Sequence, residues 1–157
     1  MVNLHQLIEE YLAGPKMVRA AVAGMSRQQI LARPIAGKMS TLEVVAHLTD
    51  FEPVYADRMK RVIAEDKPTL IGADENRFKD ALQYHERDLE EELSIIDKTR
   101  SQFARILRKL PESALQRVGN HAERVPLTLE QLLTTIINHI PHHVKFIHEK
   151  RQALGLK

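Results

Sequence analysis

Apolar residues recur every three to four positions along almost the whole chain, a period that admits little besides packed α-helices. Leu4, Leu7, Ile8, Tyr11, Val18, Val22 and Met25 make one stripe. Val45, Leu48, Phe51, Tyr55, Met59, Val62 and Ile63 make a second. Phe78, Leu82, His85, Leu89, Ile96, Phe103, Leu107 and Leu110 share a third face. Leu129, Leu133, Ile136, Ile140, Val144, Ile147 and Leu154 make the fourth. Alternating β-branched runs are absent, so no strand pattern competes. An isolated helix cannot bury its own stripe. Four of them are predicted to pack around one core as an all-α four-helix bundle with short extra helical turns. The 157 residues suffice for such a core and are expected to form a single domain, 1–157.

Capping residues place the boundaries. Ser26 with Gln29 reads as the capping box of a short turn that Pro34 ends. Ser40-Thr41-Leu42-Glu43 opens the second long helix, which should run to about Asp66. Thr128 with Gln131 opens the fourth, and Gly155 stops it just beyond Leu154. The third is expected to run unbroken from Glu75 to Leu110. Gly14-Pro15 predicts a kink or a split in the first helix, and Pro53 a kink in the second. Pro68 and Gly72 mark a loop long enough to cross an end of the bundle.

Composition narrows the function. Basic and acidic residues number 23 and 21, giving a net charge of +2, so charge alone does not point to nucleic acid. Aromatic residues are 4% and Trp is absent, which leaves few stacking platforms for bases. No apolar stretch approaches ~20 residues, so no membrane span is expected. The first twelve residues carry two acids and no Lys or Arg ahead of their apolar positions, unlike a signal peptide, and a cytoplasmic protein acting on a small molecule is the expectation. Cysteine is absent. A transition-metal site would therefore have to use His, Asp or Glu, and any thiolate would have to come from a cosubstrate.

Histidines carry the chemistry. His139 and His143 are four residues apart and fall on or beside the buried edge of the last helix, whereas His142 points away. His47 flanks the second stripe one turn before Phe51. Neutral imidazoles at i and i+4, with a third from another helix, would make a three-nitrogen metal site with an open coordination position. Ordinary partly buried histidines account for the same pattern. Pro141 lies between the paired histidines, either as a tolerated bend or as one that aims them at a common point. His85 faces inward in this reading, as a hydrogen-bonded core histidine or as a general base beside a site. His121, in a loop, is solvated or lines the open end of the bundle. His85 and His121 are thus the weaker catalytic candidates. Asp50 either orients a ligand imidazole or is exposed, and His5 and His148 read as surface residues. There is no phosphate-binding Gly-rich loop, no H-E-x-x-H, and no Glu-x-x-His, since Val44 and Ile136 stand three residues before His47 and His139.

The stretches STLEVVAHLTDFE and TLEQLLTTIINHIPHHVKFIHEKR resemble the DinB/YfiT-like superfamily of metal-dependent enzymes. The resemblance places one ligand histidine in the first stretch and an H-x-x-x-H pair in the second, which fall on His47, His139 and His143. It implies a divalent transition metal, most often zinc or nickel, in a cleft of the bundle. It also implies a hydrolase, or a transferase using a low-molecular-weight thiol cosubstrate, in a protein that is commonly a homodimer. A non-catalytic metal- or ligand-binding bundle is the alternative from another class. Met39 stands where relatives often carry Trp before the helix cap.

Overall fold

The computed structural model describes residues 3–122 and 125–156. Four long helices form the bundle: α1 (Leu4–Val22), α3 (Thr41–Ala64), α5 (Leu89–Leu107) and α6 (Leu129–Ala153), with the short helices α2 (Arg27–Leu31) and α4 (Glu75–Ala81) in the connections. Helix α1 packs on α5 and α6, and α3 packs on the same two. The three capping boxes, Ser26–Gln29, Ser40–Glu43 and Thr128–Gln131, are all formed and start α2, α3 and α6. Each satisfies backbone donors that a helix start would otherwise leave open.

The stripes meet in two apolar clusters. One gathers Leu7, Tyr11, Met59, Phe103, Leu107, Leu129, Leu133 and Ile136. The other gathers Val18, Val45, Leu48, Ile96, Ile140, Val144 and Ile147. Each fully buried aliphatic side chain of this kind stabilises the fold by roughly 1.5–3 kcal/mol before entropy is counted.

Helix α1 is neither split nor ended at Gly14-Pro15. Proline removes the N–H that would bond the Tyr11 carbonyl, and the Arg100 guanidinium supplies the missing donor from α5, Nη1 to O at 2.8 Å. The predicted third helix is interrupted. Helix α4 stops at Ala81, Gln83 takes a left-handed conformation (φ 52°), and a 3₁₀ turn covers Tyr84–Glu86. Asp88 then starts α5 by accepting from the Glu91 N–H. No Gly or Pro announces the break, so periodicity alone carries across it. As a result His85 does not face the core: it is exposed, and Tyr84 is buried in its place.

Three short strands were not expected. β1 (Thr69–Leu70) runs parallel to β2 (Val118–His121), which runs antiparallel to β3 (Leu127–Thr128). Strands of two to four residues are too short to show an alternation in sequence. Gly119 lets β2 lie against the bundle, because a Cβ there would stand 2.8 Å from Val62 Cγ2 and from Leu70 Cδ1. The pairing of Leu70 with His121 brings the loop after α3 and the loop before α6 together over one end of the helices.

Candidate metal centre

His47 comes from α3, and His139 and His143 come from α6. The capping boxes at Ser40 and Thr128 set where each helix begins, and from there the 3.6-residue period turns these positions toward the α3–α6 interface. His47 is 3% exposed, and the other two are half-buried. His47 Nε2 lies 3.0 Å from His139 Nε2 and 3.1 Å from His143 Nε2. Helix α6 continues through Pro141, one turn carrying both of its histidines. Phe51 backs the trio, 4.9 Å from the His47 ring and 6.0 Å from the His139 ring, and Phe78 of α4 stacks on Phe51 from outside at 5.5 Å.

Three imidazoles this close cannot all be joined by their own protons. His47 Nε2 carries at most one proton along its axis, so it cannot donate to both neighbours while they point lone pairs at it. Burial pushes the His139 and His143 imidazoles down to about 3, helped by the neighbouring imidazoles, and it lowers His47 as well, against the opposing pull of Glu75 and Asp50. All three are therefore neutral, in the form that ligates metal. Nitrogens bound to one zinc-like ion at about 2.0–2.1 Å in tetrahedral array stand roughly 3.3 Å apart, close to the spacings found here. The Nδ1 atoms of His139 and His143 are buried without a hydrogen-bond partner, so no protein acceptor selects their tautomer, and a cation at Nε2 would. The residues present fit a divalent transition metal.

A cavity of about 330 Å³ opens beside His139. Phe51, Tyr55 and Arg58 of α3 line one side, the Gly72–Glu75 segment lines another, and His121 closes the end. Glu75, the first residue of α4, holds its Oε2 4.0 Å from His47 Nε2. Asp74 before it caps α4 by accepting from the Asn76 and Arg77 N–H groups.

Of the sequence candidates, the structure brings His47, His139 and His143 together and sets His121, 8% exposed, on the wall of the same cavity. His85 lies in a separate surface depression with Arg33, Lys79 and Asp80, away from the trio. His142 is exposed and meets only the edges of the His143 and Phe146 rings. His5 and His148 are exposed as expected. Asp50 orients no imidazole, because both its oxygens are held by Arg87 at 2.6 and 2.9 Å. Glu75 and Arg58 were missed. Arg58 could have been found, since His47, Phe51, Tyr55 and Arg58 follow one another at steps of four, four and three along one helical face. Glu75 could not, because its place depends on how the loop crosses the bundle.

Relatives match nearly the whole of this chain in sequence. The protein called "Putative metal-dependent hydrolase" from Geobacillus thermodenitrificans is 25% identical over 153 residues, 94% of this chain and 86% of its own length. A protein of the same description from Bacillus licheniformis is 23% identical over 157 residues, 98% of this chain and 88% of its own. Among solved structures, YfiT from Bacillus subtilis, described as a probable metal-dependent hydrolase with an unusual four-helix bundle topology, superposes with a TM-score of 0.92. That match covers 100% of this chain and 92% of YfiT at 22% identity, so the fold is that four-helix bundle. The family pattern of the DinB superfamily spans residues 10–147, and this chain belongs to that superfamily.

Proposed function

We propose that this protein is a metal-dependent hydrolase of a small molecule, with His47, His139 and His143 holding one divalent ion, zinc or nickel. The observation that supports this reading most directly is the convergence of three neutral Nε2 atoms, one of them from His139 beside a cavity that the Glu75 carboxylate also lines. A bound ion would supply a Lewis acid for a carbonyl and for water at neutral pH.

The chain's own residues do the rest. Glu75 Oε2, 4.0 Å from His47 Nε2, is placed to take a proton from a water at the trio and to return it to the leaving group. Phe51 and Phe78 shield the imidazoles from bulk solvent on one side. Glu75 favours hydrolysis over thiol transfer, because water needs help to lose its proton near neutral pH and a small thiol needs far less. The thiol cosubstrate and the non-catalytic bundle are thereby the lesser readings.

The test is a panel of small esters and amides offered to chelator-treated protein and to protein reloaded with zinc or nickel. Hydrolysis should require the ion. Glu75→Gln should retain metal and lose on the order of a hundredfold or more in rate. Turnover that appears only on adding a thiol would replace hydrolysis by transfer, and turnover indifferent to chelation would remove the metal from the chemistry.

A further inference from the structure

The wall of this cavity also includes a cation. Arg58 lines it eleven residues after His47 on α3, and only 6% of the residue is exposed. Its Nε and Nη2 both donate to the Ile71 carbonyl, at 3.2 and 2.7 Å, and its guanidinium carbon sits 5.1 Å from the Tyr55 ring centroid. Among the described residues Nη1 has no partner. Among the described residues no carboxylate stands within ion-pair distance of Arg58, although Asp74 and Glu75 line the same cavity. Asp74 is engaged in capping α4, and Glu75 lies beside His47. Another buried arginine, Arg100, is matched with Glu52.

A buried cation without a counter-charge is costly, and the restraint of one backbone carbonyl does not require a permanent charge. What an arginine offers beyond that restraint is a planar fork with a free edge, shaped for a carboxylate. We propose that Arg58 is the anion-recognition residue of this cleft, and that the substrate carries a carboxylate at the end remote from the bond that is cleaved. The proposal rests on the metal-dependent hydrolase reading. A monoanion fits better than a phosphate dianion, because one guanidinium must balance the ligand while Asp74 and Glu75 stand on the same wall. About 16 Å of helix separates the Cα atoms of His47 and Arg58, and the long Arg58 side chain leans back toward the helix N-terminus. The interval left is on the order of five to eight chain atoms, the length of a short acyl chain.

Hydroxamates test this without turnover, since the hydroxamate end occupies a metal with an open position. Cobalt-substituted protein is titrated with a series of hydroxamates ending in a carboxylate, from three to eight carbons, and with the matching methyl-ended series. The absorption spectrum reports binding. At one matched length the carboxylate should bind about tenfold or more tighter than its methyl counterpart. Arg58→Gln should abolish that advantage while leaving the methyl-ended affinity within about threefold. Arg58→Lys should restore part of it, and circular dichroism should show both variants folded. Equal affinity of the two series at every length overturns the proposal. So does an Arg58→Gln variant that weakens both series alike, because that identifies a purely structural arginine. A cobalt spectrum indifferent to every hydroxamate, or a failure to take up cobalt, is a different result: it removes the metal-centred reading itself, and this proposal with it.

Discussion

Arg100 and Glu52 form an ion pair in which neither side chain has any exposed surface, with Arg100 Nε and Nη2 donating to Glu52 Oε1 at 2.9 and 2.6 Å. The remaining donors of the same guanidinium reach the carbonyls of Tyr11 and Ile136, both at 2.8 Å. One side chain thus ties α1, α3, α5 and α6 together. Removing one partner of a buried pair leaves the other charged and unsolvated, which typically costs about 3–5 kcal/mol. Arg100→Leu should lose stability of that order, read as a shift in urea midpoint. A change below ~1 kcal/mol would show that water or a side-chain rearrangement replaces the guanidinium.

Gly14 makes room for that arginine. A Cβ at this position would meet the Arg100 guanidinium and would lie 2.9 Å from Ile140 Cδ1. In an ordinary helix Gly→Ala stabilises by roughly 0.5–1 kcal/mol. Here Gly14→Ala should destabilise, by about 1–3 kcal/mol, because the displaced groups belong to a packed core. Thermal unfolding of the single variant gives the sign.

The two neighbouring histidines of α6 should behave differently. His143→Ala and His139→Ala should each lose bound metal in elemental analysis of protein purified without a polyhistidine tag, and His142→Ala should retain it. His142 is exposed and shares no nitrogen contact with the trio. Equal loss in His139→Ala and His142→Ala would mean that both reach the ion. The metal-stripped protein should keep its helical circular dichroism, since the apolar core, including Phe103, Leu107, Leu129 and Ile136, is independent of the site.

Acid should weaken the metal-free fold before most carboxylates titrate. His139 and His143, held at about 3 by burial first and then by neighbouring cationic groups, His47 and His142 among them, take up protons in the unfolded chain near 6.5 but not in the folded one. Their folded values are depressed, so the stability they allow is present above about pH 6.5 and is lost as pH falls below it. The urea midpoint of chelator-treated protein should decline between about pH 7 and 5, and His139→Ala with His143→Ala should flatten that slope.

At lower pH a further loss, linked to a carboxylate, is expected at the start of α3. Burial by itself would raise the Glu43 carboxyl, but the Arg33 guanidinium and the Ser40 N–H outweigh it and hold it below its usual range. That contribution is complete above the unfolded carboxylate value and disappears as pH falls through the depressed one. Arg33 is largely exposed, so the ion-pair part is worth at most about 1 kcal/mol. Glu43→Gln should lower the urea midpoint at pH 7 and converge on the wild type in acid.

The amino-acid sequence by itself determined the bundle and the trio. Stripes at helical spacing specify which face of each helix is buried, and the caps at Ser40 and Thr128 set where α3 and α6 begin. His47, His139 and His143 lie on or beside those stripes, so the local period alone turns them toward one interface. Only the tertiary structure decided the cleft. Glu75 reaches the trio because the loop after α3 returns and starts α4 beside His47, a placement no local pattern announces. His121 reaches the cavity through the pairing of Leu70 with His121, two residues 51 positions apart. Arg58 is a buried cation only because the loop at Ile71 folds over it. Periodicity encodes what a residue does within its own helix. Contacts made by crossing loops depend on chain closure between distant segments, and no local pattern carries that information.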